Sequence, residues 1–108
     1  MQVIKLYLPM KDNNKADLMH FHDWFMDDIS DYNHIITGFT RFQAEGFWFD
    51  DDKTYKDDIK IYEFHVANKF VDNVYSLLRR KAKSLCRKMS QEAIYLQLNS
   101  DTELVRDK

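Results

Sequence analysis

The order of hydrophobic patterns along this chain limits its folds more than any other feature. An alternating apolar strand comes first, followed by an amphipathic helix, a long polar-tipped hairpin, a second amphipathic helix and a last alternating strand. A strand alternates with period two and a helix with period 3.6, so the two are told apart by spacing. Gln2 to Leu8 sets Ile4, Leu6 and Leu8 on one side and Val3, Lys5 and Tyr7 on the other, and Pro9 closes the strand. Leu18, Phe21, Phe25, Ile29 and Tyr32 recur at helical spacing between Lys15 and Tyr32, opposite an acidic face of Asp17, Asp27, Asp28 and Asp31.

The chain then predicts a second strand over residues 35–49, with Gly38 and Gly46 as bulge or close-approach points. A turn at Asp50, Asp51, Asp52 and Lys53 leads back to a third strand over residues 59–66. There Tyr62, Phe64 and Val66 share one face, and Ile61, Glu63 and His65 the other. Asn68 is positioned to cap a second helix striped by Val71, Val74, Tyr75, Leu78, Ala82, Leu85 and Met89. A last strand over residues 93–98 turns Ile94, Leu96 and Leu98 inward and Tyr95 and Gln97 outward. This β-α-β-β-α-β order predicts one α+β domain over residues 1–108. It is ferredoxin-like, a four-stranded antiparallel sheet with two helices on one face, and residues 100–108 form a frayed polar tail.

Gly38-Phe39-Thr40, Gly46-Phe47-Trp48 and Gln91-Glu92-Ala93-Ile94 follow one another in this sequence. In that order they resemble a family of small, uncharacterised bacterial domains with a G-x-T, G-x-W and Q-E-x-apolar pattern. The resemblance runs over residues 3–98. It implies a ferredoxin-like sheet and carries no activity with it.

Composition bounds the function classes. The 44% hydrophobic content, with eight Phe, six Tyr and two Trp, excludes a disordered chain. No apolar stretch reaches the roughly 18 residues of a membrane span, no signal peptide is visible, and the single Cys86 cannot form an internal disulfide. These features predict a cytoplasmic protein with no membrane contact. Residues 1–67 hold thirteen Asp/Glu against seven Lys/Arg, and residues 68–108 nine Lys/Arg against five Asp/Glu. Lysine-rich, glycine-poor composition fits an AT-rich gene of a bacterium or a mobile element.

Catalytic signatures are missing. Two glycines cannot build a phosphate cradle, there is no G-x-S-x-G, and no cofactor is expected. His20 and His22 stand about 200° apart on a helix, which does not suit one metal ion, so no metal site is expected. Surface or partly packed histidines are the simpler reading. The carboxylates at 50–52, 57 and 58 lack the glycine and glutamate of a calcium loop. The basic run from Arg79 to Lys88 reads as a solvated face suited to the helix dipole, and nucleic-acid binding is not expected.

Two surfaces remain. Phe47, Trp48 and Phe49 cannot all be buried on one strand, because neighbours face opposite ways. With Asp50, Asp51 and Asp52 they form an acidic, aromatic hairpin tip suited to a protein partner. The open sheet face would gather Lys5, Tyr7, Arg41, Glu63, His65, Tyr95 and Gln97. The leading expectation is therefore a non-enzymatic interaction module, a homodimer of the inhibitor or accessory-protein kind. The alternative is a small-molecule-binding or catalytic dimer using His65 as acid/base and Glu63 as its orienter. A further alternative is nucleic-acid binding through the second helix.

Overall fold

The computed structural model describes residues 1–107. The strands are β1 (Gln2–Pro9), β2 (Thr40–Asp50), β3 (Lys53–Val66), β4 (Ile94–Leu98) and β5 (Asp101–Val105). The helices are α1 (Met19–Ser30) and α2 (Val71–Lys88), the latter entered through one 3-10 turn at Asn68–Phe70. All strand pairs are antiparallel, and the sheet runs β2-β3-β1-β4-β5. The chain is thus α+β with two helices, as its patterns predict. The described residues hold five strands, however, and the expected count of four is corrected.

The core lies between one sheet face and the helices. Ile4, Leu6 and Leu8 of β1, Tyr62, Phe64 and Val66 of β3, and Ile94 and Leu96 of β4 are buried there. Phe25 and Ile29 of α1 and Val74, Leu78, Ala82 and Leu85 of α2 cover them. Both periodicities thus converge on one apolar layer. Lys81 Nζ joins Asp28 Oδ2 at 2.6 Å, tying α2 to α1 across their half-buried flank.

Local chemistry shifts the element boundaries. Lys15 takes a left-handed φ of 67°, and the Asp12 carboxylate accepts from the Asn14 and Ala16 amides at 2.8 and 2.9 Å. This side chain to backbone competition delays α1 to Met19. Asn68 makes no capping bond, since the 3-10 turn supplies the entry to α2. β2 starts at Thr40 and pairs with β3 residue for residue up to Asp50↔Lys53, so neither glycine marks a bulge. A Cβ at Gly38 would meet open space, and one at Gly46 only ordinary contacts.

The expected frayed tail is corrected to strand β5 (Lys108, its last residue, lies outside the described residues). Asn99 adopts a φ of 53° at the β4–β5 turn, a conformation its side chain tolerates. Three contacts then hold β5. The Tyr75 hydroxyl donates to Glu103 Oε1 at 2.8 Å, Arg79 Nε donates to both Glu103 oxygens at 3.2 and 3.0 Å, and Cys86 Sγ donates to the Val105 carbonyl at 3.1 Å. Burial, and then the hydrogen bond to Glu103, push the Tyr75 phenol up to about 12. Burial also pushes up the Cys86 thiol, which leaves it a poor nucleophile. Glu103→Ala is expected to cost about 1–2 kcal/mol, a charge-assisted pair discounted for partial exposure. Hydrogen exchange of the β5 amides should accelerate well before that of β1; unchanged protection would refute the clip.

His22 is fully buried, where a surface or partly packed histidine was expected. Its Nε2–H donates to the Pro9 carbonyl at 2.8 Å, so Nδ1 must accept from the Tyr62 hydroxyl at 2.6 Å. Desolvation holds the imidazole below its usual 6.5. Below about pH 6.5 the unfolded chain therefore takes up a proton that the folded chain refuses, and stability falls with pH. The urea midpoint should drop between pH 7 and pH 5, above the window in which carboxylates titrate. A midpoint that stays flat over that range would contradict a neutral His22.

Candidate functional site on the open sheet face

β3 is six residues longer at its start than its hydrophobic pattern predicts, and this extension makes the site. β1 ends at Pro9↔Ile59, so the hairpin beyond β3 residue Ile59 loses its neighbour on that side. An unflanked two-stranded ribbon coils strongly. Here the arm curls over the open face until the Trp48 ring lies parallel to that of Tyr95, with centroids 5.2 Å apart and planes 2° from coplanar. Trp48 Nε1 donates to Asp57 Oδ2 at 2.6 Å, which fixes the indole on the arm.

Between the arm and β4–β5 lies a cavity of about 680 Å³. Tyr7, Ile59, Ile61, Tyr95 and Leu104 form much of its apolar lining, and Gln97, Thr102, Arg106, Glu92 and Asp57 add polar groups. Tyr7 and Tyr95 meet edge to face at 6.0 Å, and the Tyr7 hydroxyl donates to Gln97 Oε1 at 2.9 Å. Aromatic floors with a few polar groups are the usual build of a small-molecule pocket, and this volume lies within the customary range. Such a surface takes a flat ring by stacking or a soft cation against the π-faces.

One row further along the same face, Glu63 sits between Lys5 and His65. Glu63 Oε1 is 3.6 Å from Lys5 Nζ, and Glu63 Oε2 is 3.0 Å from His65 Nε2. The hydrogen bond from His65, assisted by the Lys5 charge, holds the Glu63 carboxyl below its usual range. In register, Lys5 stands opposite both Glu63 and Gln97, and Tyr7 opposite Tyr95. Six of the seven residues expected on the open face are therefore together.

Arg41 is the exception and is corrected to the helix side. It lies over the Tyr62 ring at 5.8 Å and donates to Met26 Sδ at 3.5 Å. Counting back from the two-residue turn at Asp51–Asp52 pairs Arg41 with the inward Tyr62, a signal the sequence already held. The hairpin tip divides as well. Phe49 is the most exposed of the three aromatics and Asp50, Asp51 and Asp52 are solvated, while Phe47 and Trp48, though also exposed, line the cavity. Sequence reasoning missed Asp57 and the β5 residues Thr102 and Leu104, because the hairpin extension and β5 were both unforeseen. Among the described residues, no three His, Cys, Asp or Glu side chains gather where they could hold a metal ion, and no helix is long and apolar enough to cross a membrane.

No protein-family model and no curated protein matches the chain. Two solved structures share its fold over nearly its whole length. One is a phage SAM lyase in complex with S-methyl-5'-thioadenosine, 13% identical, with a TM-score of 0.64, covering 96% of this chain and 88% of that one. The other is a phage SAM lyase in the apo state, 9% identical, with a TM-score of 0.67, covering 96% and 87%. At these identities the likeness is one of fold. The expectation of a non-enzymatic interaction module is corrected on this finding, since both structures that share the fold are of an enzyme.

Proposed function

We propose that this protein is a small-molecule enzyme of the SAM-cleaving type, with its substrate seated in the open-face cavity. The observation that carries the reading is the aromatic cavity of about 680 Å³ under the curled hairpin, in a fold shared with a structure that holds S-methyl-5'-thioadenosine. We also read the sheet as a ferredoxin-like arrangement extended by β5, since β2-β3-β1-β4 follows that order.

The chemistry suits the lining. SAM carries a sulfonium, a soft cation that aromatic faces attract. Cleavage of the bond from sulfur to the amino-acid chain sends its electron pair to sulfur, which becomes the neutral thioether of S-methyl-5'-thioadenosine. The carbon fragment balances its charge by bonding its own carboxylate oxygen at the carbon that sulfur leaves, which closes a lactone, or by losing an adjacent proton to water, which leaves an alkene. Positive charge disappears from sulfur as the bond breaks, and the apolar side chains that line this part of the cavity favour that loss over bulk water.

In this reading the sulfonium lies over Tyr7, and the amino-acid end points along the face to Lys5 and Glu63. Rows on one sheet face are about 7 Å apart, two residues of strand rise, which brings those charges within reach of the chain. Lys5 meets the carboxylate and Glu63 the ammonium. His65, bonded to Glu63, orients that carboxylate. Calorimetric titration of the intact protein with S-methyl-5'-thioadenosine tests the reading: saturable 1:1 binding is expected, and no heat at millimolar ligand would refute it.

A further inference from the structure

Trp48 and Asp57 form a unit that a wall-lining role alone does not explain. They lie diagonally across the arm, Asp57 opposite Gly46 and Trp48 opposite Tyr55, both line the cavity, and the 2.6 Å bond between them uses only one of the two carboxylate oxygens. Gly46 lies two residues before Trp48 on the same face of the arm. A Cβ there would make only ordinary contacts, 3.8 Å from Trp48 Nε1 and 4.0 Å from the Asp57 carbonyl oxygen. The Asp57 bond anchors the indole parallel to Tyr95, and Asp57 Oδ1 stays available beside it.

Resting on the function proposed above, we infer that this unit recognises the base of the ligand. The base stacks on the cavity side of the Trp48–Tyr95 pair, and Asp57 Oδ1 accepts a hydrogen bond from its exocyclic amino group. A carboxylate only accepts, so it welcomes an amino edge and repels an oxo edge. The site consequently selects adenine over a 6-oxopurine. Trp48 acts by contact with the base. Asp57 both contacts the base and positions the indole.

The test uses a Trp24→Phe background, which leaves Trp48 as the one tryptophan of the chain. Trp24 lies on α1 beside Lys88, away from the cavity lining. S-methyl-5'-thioadenosine should quench Trp48 fluorescence on binding, and its 6-oxo counterpart, S-methyl-5'-thioinosine, should bind about tenfold or more weakly. Trp48→Leu should weaken adenine-ligand binding, measured by calorimetry, by about tenfold or more. Asp57→Asn gives the sharper result. Its single oxygen would stay on the indole and turn an N–H donor to the base, which should erase or reverse the preference for the amino purine. Equal binding of the two ligands by the Trp24→Phe protein, or an undiminished preference in Asp57→Asn, would overturn this inference and leave the proposed function standing. Failure of both ligands to bind the unsubstituted protein would overturn the two together.

Discussion

Tyr62→Ala is expected to destabilise the fold by about 4 kcal/mol, the scale for emptying a buried aromatic site. Domains of this size are stable by only about 5–15 kcal/mol, so the variant should be largely unfolded at moderate urea. Tyr62 is wholly buried on the inner face of β3. It meets Phe25 edge-on at 5.1 Å, Phe39 at 5.6 Å and the His22 ring at 5.7 Å, and it carries Arg41 above its face. Tyr62→Phe separates the two parts of that role. It keeps the ring packing but leaves the His22 Nδ1 without its donor, which should cost about 1–3 kcal/mol. Urea unfolding of the three proteins measures both steps. An alanine variant as stable as the phenylalanine one would contradict the packing account.

Tyr95→Ala is expected to weaken S-methyl-5'-thioadenosine binding by about tenfold to a hundredfold, with little change in stability. The ring is only partly buried, yet it supports Trp48 on one side and Tyr7 on another. Its removal deletes the floor of the cavity and frees the hairpin arm. Loss of one stacking aromatic is worth about 1–3 kcal/mol in base binding. Tyr95→Phe should retain nearly all of the affinity, because the hydroxyl is not part of the stack. Calorimetry against an unchanged melting profile gives the comparison. Equal affinity of the alanine variant and the unsubstituted protein would move the ligand away from this face.

Much of the architecture was legible because it rests on local periodicity. The alternation of Ile4, Leu6 and Leu8 and the stripe from Val71 to Leu85 each define a buried face without outside help. The parts that escaped depend on contacts distant in sequence. Nothing between Asp101 and Val105 reads strongly as a strand. Tyr75, Arg79 and Cys86 make it one by fastening Glu103 and Val105 to α2. The polar stretch from Lys53 to Asp58 likewise becomes strand only through its ladder with β2.

The site shows the same division. Lys5, Tyr7, Glu63, His65, Tyr95 and Gln97 could be gathered from alternation alone, and they do share one face. The cavity could not, because it arises where the hairpin outruns β1 and coils back, carrying Trp48 onto Tyr95. A sequence pattern describes which side of a strand a residue faces. It does not describe how far a ribbon curls. That is why alternation alone placed Trp48 on the hairpin and could not bring it onto Tyr95, where it lines the cavity.

Incubation of the purified protein with SAM, followed by chromatography and mass spectrometry of the nucleosides, is the most direct measurement. The account predicts steady accumulation of S-methyl-5'-thioadenosine at the expense of SAM, sharply reduced in Tyr95→Ala. SAM left intact by a folded protein over many hours would contradict it.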